Sequence, residues 1–193
     1  AADERLQVGL LNAPDPYDTW DTLLREVPTE RLRVFWLADG TTPQDNRYRR
    51  SQPAWQALVR KVQAAGAAMG VHPSFATARN PQLMAQEVHA QAQVMGQPVT
   101  AARQHYLHYH LPDTLRSYLQ LGIRQDYTTA APHALGFLHG MAQPFFWFDL
   151  QANRATELMR VPSMAMDRTL QRYLALQPTE AEAALAPVVQ ETR

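Results

Sequence analysis

The chain has 193 residues, of which 46% are apolar and 19% charged. Lysine plus arginine and aspartate plus glutamate both number 18, and cysteine is absent. One domain with a sizeable core fits that length. The balanced charge argues against a nucleic-acid or membrane-surface binder, and the missing cysteine excludes disulfides, thiolate nucleophiles and zinc–sulfur sites. No apolar run approaches the ~18 residues of a membrane span, and the opening "AADERLQ" is not a signal peptide, so a soluble, cytoplasmic protein is expected.

Apolar strand-like runs alternate with helical patterns. "LQVGLL" (6–11) reads as a strand. A helix opens at Asp15-Pro16, an N-cap followed by proline, with Trp20, Leu23, Leu24 and Val27 on one face. "RLRVFWLA" (31–38) is the next strand. A loop leads to a helix over 51–65 with Trp55, Leu58, Val59 and Val62 inward and Gly66 as its stop. "AAMGV" (67–71) is a strand ending at His72. Asn80-Pro81 starts a helix with Leu83, Met84 and Val88 inward, closed by Gly96. "PVTAA" (98–102) is a strand ending at Arg103. A helix over 112–121 buries Leu115, Tyr118 and Leu119, and "GIRQDY" is a strand delivering Asp126. Strands over 144–150 and 155–162 follow, then helices over 167–176 and 178–191.

Such alternation implies parallel βαβ units, in which ligands bind at the carboxyl ends of the strands. Asp39, His72, Arg103 with His105, and Asp126 occupy successive strand ends. Together they point to one polar site. The stretch "RQHYLHYH" (103–110) belongs there and holds three of the seven histidines. In an extended segment His108 and His110 share a side and His105 opposes them, so a metal triad is not expected from these three. Tyr106, Tyr109, Phe145, Phe146 and Trp147 are candidates to stack on sugar rings, while "PFFWF" reads more simply as a buried strand. Asp167, before "RTLQRYL", reads as a helix cap, and His89 as a surface residue of its helix.

"GVHPSF" (70–75), "ARQHYL" (102–107), "LPDTLRSYLQLGIRQDYT" (111–128), "GFLHGMAQPFFWFDL" (136–150) and "VPSMAMDRTL" (161–170) together resemble a divergent bacterial branch of the polysaccharide deacetylase family. The resemblance covers roughly residues 15–190. It implies a distorted, possibly incomplete (β/α) barrel and a hydrolase that removes acetyl groups from an N-acetylated polysaccharide. It also implies a divalent metal ion, zinc above others, to polarise the amide carbonyl and its attacking water. By the same likeness His72 is a metal ligand and Arg103 and Asp126 belong to the catalytic set; His105, two residues past Arg103, and Tyr106 are, from their own position and chemistry, the candidates to contact substrate. The pattern has gaps. The second histidine of the metal motif falls at Ala76, the paired aspartates of the first motif fall at Leu11 and Asn12, and Leu138 stands where an arginine is expected. These departures imply a fragment or degenerate member. The alternatives are a lapsed domain of the same fold that binds a glycan or a protein, and a different metal-dependent hydrolase using the same strand ends.

Overall fold

The structure, a computed structural model, describes Asp15 and residues 18–190; the strand expected over 6–11 and the Asp15-Pro16 helix start lie wholly or partly outside them. The fold is mixed α/β. Six strands form one sheet: β1 (Arg33–Trp36), β2 (Ala68–Val71), β3 (Ala101–Ala102), β4 (Gln125–Asp126), β5 (Phe145–Asp149) and β6 (Arg154–Arg160). Their order is β1-β2-β3-β4-β6-β5, parallel throughout except for the antiparallel edge strand β5. The helices are α1 (Trp20–Glu26), α2 (Pro53–Ala64), α3 (Pro81–Met95), α4 (Asp113–Gln120) and α5 (Pro178–Gln190).

Each of α2, α3 and α4 connects two neighbouring parallel strands. With right-handed crossovers, sequential neighbours in the order 1-2-3-4 put these helices on one face of the sheet. Their apolar stripes meet the strands there. Val59 and Val62 of α2, Met84 and Val88 of α3, and Leu115 and Tyr118 of α4 are buried in one cluster with Trp36, Val71 and Ala102. Each fully buried aliphatic side chain among them contributes about 1.5–3 kcal/mol. Trp36 is gripped between Trp55 and Trp20, with ring centroids at 5.6 and 5.7 Å. That stack is how α1, which has no buried residue of its own, attaches to the core. Helix α3 starts as its sequence dictates, the Asn80 side chain accepting the Leu83 N–H at 3.0 Å with Pro81 next.

Alternation puts Phe35 on the opposite face. There its ring lies across Gly70, where a Cβ would sit 2.8 Å from the ring and 2.6 Å from the Ala101 carbonyl. Glycine is therefore required at that crossing, and it lets Phe35 reach Tyr127 beyond β4, at 5.1 Å between centroids.

Several expectations change. The strands foreseen over 98–102 and 122–127 pair over only two residues each, Ala101–Ala102 with Gln125–Asp126, and at the start of this ladder Arg124 and Gln125 both donate to the Thr100 carbonyl. The helix foreseen over 167–176 is helical over 167–173, with Thr169–Tyr173 as a π-type turn, and among the described residues Asp167 makes no side-chain cap bond. "PFFWF" is not a buried strand. Only one of its faces is packed: Trp147 meets the core, while Phe146 and Phe148 on the other face are exposed. Its end is pinned by Asp149, which accepts a two-pronged bond from Arg116 of α4 at 2.7 and 2.9 Å.

Candidate functional site

The ends of β2 and β3 are tied together by backbone. Arg103 N–H donates to the Val71 carbonyl and His105 N–H to the Pro73 carbonyl. This brings His72 and His105 edge to face, with ring centroids 4.9 Å apart. His72 Nδ1 donates to the Arg103 carbonyl, which leaves Nε2 as the unprotonated nitrogen of the neutral ring. Burial pushes the His72 pKa down to about 4, helped by the charges of His105 and Arg103 and opposed by its bond to the Arg103 carbonyl. The imidazole is therefore neutral at physiological pH.

His105 meets a partner that sequence reasoning did not identify. Its Nδ1 donates to Asp45 Oδ1 at 2.9 Å, and the Asp45 side chain is wholly enclosed. Asp45 comes from the loop after β1, pressed against Gly40, where an added Cβ would lie 2.2 Å from the Asp45 Cβ. Its carboxylate also accepts the Phe75 N–H at 2.9 Å and both the N–H and hydroxyl of Thr42 at 3.1 and 2.7 Å. Burial raises this carboxyl's pKa, but the bonds from Phe75, Thr42 and His105 outweigh it, and the group is held below the usual value. Asp45 thus fixes the ring of His105 and its tautomer, and directs Nε2 to whatever enters the site.

Behind this corner, on the helix side, sits a dry polar network. Gln104 is fully buried; its amide donates to Thr77 Oγ1 at 2.6 Å and to the Ser74 carbonyl at 3.1 Å, and its carbonyl accepts from Tyr118 Oη at 2.9 Å. Ser74 in turn donates its N–H and hydroxyl to Glu87. Burial raises the Glu87 pKa, opposed by those two bonds.

Arg103 and Asp126 are at neighbouring strand ends but not on the same face. Ala102 and Asp126 are in register, and Ala102 belongs to the helix-side core. Arg103, one residue on, turns to the other side. Its Nη1 donates to the Tyr127 carbonyl and Ser163 Oγ, both at 3.0 Å. Among the described residues its Nε and Nη2 make no hydrogen bond. Asp126 is fully buried and accepts from Arg160 Nε at 3.0 Å and from the Thr128 N–H at 2.9 Å. Arg160 continues to Tyr109 Oη at 3.2 Å. Arg103 and Asp126, both assigned to the catalytic set, are therefore not bonded to each other: Asp126 pairs with Arg160 under the site, and Arg103 lies on the site's own side. Asp39, the first strand-end carboxylate, is held by Arg50 at 2.9 Å.

The other histidines diverge. His108 stacks on Phe75 with centroids 4.2 Å apart and donates to its carbonyl, His110 pairs with Asp113, and His89 is exposed on α3. Among the described residues no three His, Asp or Glu side chains form a group able to hold an ion. His72 and His105 each keep one nitrogen, while Asp45 already accepts four hydrogen bonds. A zinc site needs three or four protein ligands, so this donor set does not fit a zinc ion by itself. No helix among the described residues is long and apolar enough to cross a membrane. Compared with models of known protein families and with functionally characterised proteins, the chain matches none.

Proposed function

We propose that this protein binds an N-acetylated polysaccharide at the carboxyl-terminal rim of its parallel strands and hydrolyses the acetamido group, as the likeness to polysaccharide deacetylases implies. On this reading the sheet is the arc of a distorted barrel. The observation that carries the proposal is the His105–Asp45 pair beside neutral His72 at the ends of β2 and β3, where α/β folds hold their ligands.

The chemistry follows from what each group has free. Water attacks the amide carbonyl, and His105 Nε2 takes its proton while Asp45 steadies the resulting imidazolium. The unbonded N–H groups of Arg103 offer positive charge to the oxygen of the tetrahedral intermediate. The C–N bond then breaks, the proton on His105 passes to the leaving amine, and acetate and a free amino sugar result. Asp126 acts at one remove, holding Arg160 and through it Tyr109.

A second reading, glycan binding without turnover, draws on the incomplete ion set around His72. One experiment separates the two. Chitohexaose incubated with the protein releases acetate on the first reading, and His105→Ala lowers the rate by about 10²–10⁴-fold, the usual contribution of a positioned acid–base group. Saturable binding with no acetate from the wild type selects the second. Metal content and added zinc are assayed on the same samples. Acetate release that appears only with zinc and survives in His105→Ala overturns the assignment of the base.

A further inference from the structure

Resting on the glycan reading above but not on turnover, we propose that Tyr106, backed by Phe75 and His108, is a stacking subsite for a hexopyranose unit adjoining the one that reacts.

The backbone here is arranged at a cost. Tyr106 has φ 58° and ψ 15°, and Leu107 follows with φ 53°, so two successive side-chain-bearing residues lie in the left-handed region. Such strain persists only where surrounding contacts hold it, and it concentrates at ligand-binding segments. The contacts are present. Leu107 N–H donates to the Gln104 carbonyl and His108 N–H to the His105 carbonyl, both at 3.0 Å, and Gln104 is locked in the buried network. His108 Nδ1 donates to the Phe75 carbonyl at 3.2 Å, and Phe75 N–H donates to Asp45. All this order serves a phenol ring that stays 59% exposed. Burial of Tyr106 is therefore not what the strained turn achieves.

What it achieves is placement. The Tyr106 ring meets His105 edge-on at 4.9 Å and Phe75 edge-on at 5.8 Å, and neither is stacked parallel on it. Phe75 is itself braced by its parallel stack with His108. An aromatic plane is thus held rigidly beside the imidazole assigned to catalysis, with little ordering left to do on binding. Around it are polar groups. His105 and His108 each have Nδ1 occupied and the other nitrogen available, and Arg103 has unbonded N–H groups. An apolar face with a rim of hydrogen-bonding groups matches a pyranose, whose C–H face is apolar and whose hydroxyls lie around its edge. An aliphatic peptide side chain would cover the ring but leave the rim unpaired.

Tyr106→Gly is the decisive variant, because glycine removes the ring and accepts the left-handed backbone without strain. The expected result is a melting temperature equal to or above that of wild type, with chitohexaose binding weakened at least tenfold by affinity electrophoresis or titration. Tyr106→Phe and Tyr106→Trp are expected to bind within about threefold of wild type. Should wild type bind the hexamer without releasing acetate, and Tyr106→Gly lose that binding, the subsite stands and the deacetylase reading falls. Should wild type release acetate while Tyr106→Gly keeps its KM for the hexamer, the subsite falls and the reaction stands. A wild type that neither binds nor cleaves chitohexaose overturns both.

Discussion

Two parts of the same sheet are held by opposite means. At the ends of β2 and β3 the order comes from polar groups sealed away from water: the Gln104 side chain bonds Ser74, Thr77 and Tyr118, Asp45 accepts four hydrogen bonds, and Ser74 donates twice to Glu87. At the β5–β6 hairpin the order comes from register, the Arg116–Asp149 bond and the inward Leu158 and Trp147, while Phe146, Phe148 and Leu150 are 64, 46 and 84% exposed. A buried hydrogen bond adds little net stability when made, but breaking one strands its partner without water. An exposed phenyl loses almost nothing when removed. The strand-end corner is therefore stiff and intolerant, as a site that must hold ring planes in place requires, and the hairpin's outer face is permissive.

The largest effect is expected at the centre of the stiff corner. Gln104→Leu keeps the approximate size of the side chain but takes one hydrogen-bond partner each from Tyr118 Oη, from Thr77 Oγ1 (which keeps its own bond to the Ser74 carbonyl) and from the Ser74 carbonyl. With about 0.5–1.5 kcal/mol net for each of the three buried hydrogen bonds lost, the loss reaches about 4 kcal/mol at its upper end. In a chain of this length that lowers the melting temperature by roughly 8–16 °C. Urea unfolding checks it, with the midpoint moving and the slope unchanged. A midpoint within 0.3 M of wild type would show that the network contributes no rigidity.

A smaller, pH-dependent effect is expected from His72. Its folded pKa is about 4, whereas an unfolded histidine titrates near 6.5. Between those values the unfolded chain binds more protons than the folded one, so stability falls as pH drops from about 6.5 to 4, by at most about 3 kcal/mol. Below that window Asp45, whose carboxyl is held under its usual value, adds a loss of the same sign. Glu87, raised by burial, works the other way by taking up a proton in the fold first. His72→Asn retains a donor for the Arg103 carbonyl and cannot titrate. Its unfolding free energy is expected to be flatter than that of wild type across pH 6.5–4; parallel curves would remove His72 as the source.

How far these contrasts could be read in advance depends on where the information is stored. The alternation of β1 to β4 with α2 to α4 is periodic, local and visible, down to Asn80 as cap and to His72 and Arg103 as strand ends. Asp45 was not visible. It sits in an aperiodic loop 60 positions from His105, and only the approach of two strand ends makes them partners. Asp126 is legible as a strand end but its partner Arg160 is not, because the pairing of β6 beside β4 skips β5 and no local pattern encodes that choice. "PFFWF" misled for the converse reason. A continuous apolar run reads as a strand covered on both faces, yet in this one only the Trp147 face is covered.

That misreading yields the smallest expected effect and the other pole of the comparison. Phe148 pairs with Ala155 across the hairpin, in a strand whose next residue, Asp149, is fixed by Arg116. Phe148→Ser removes apolar area that is already nearly half in water and places a hydroxyl where water can satisfy it, so neither a cavity nor an orphaned polar group results. The β-propensity lost is a fraction of a kcal/mol. Stability is expected to stay within about 0.5 kcal/mol of wild type by urea unfolding, the range of surface substitutions remote from special features, and acetate release from chitohexaose is expected to be unchanged. A loss above about 2 kcal/mol would mean that the outer face of β5 is covered in solution, and the hairpin would then belong with the stiff corner as a region whose order depends on burial.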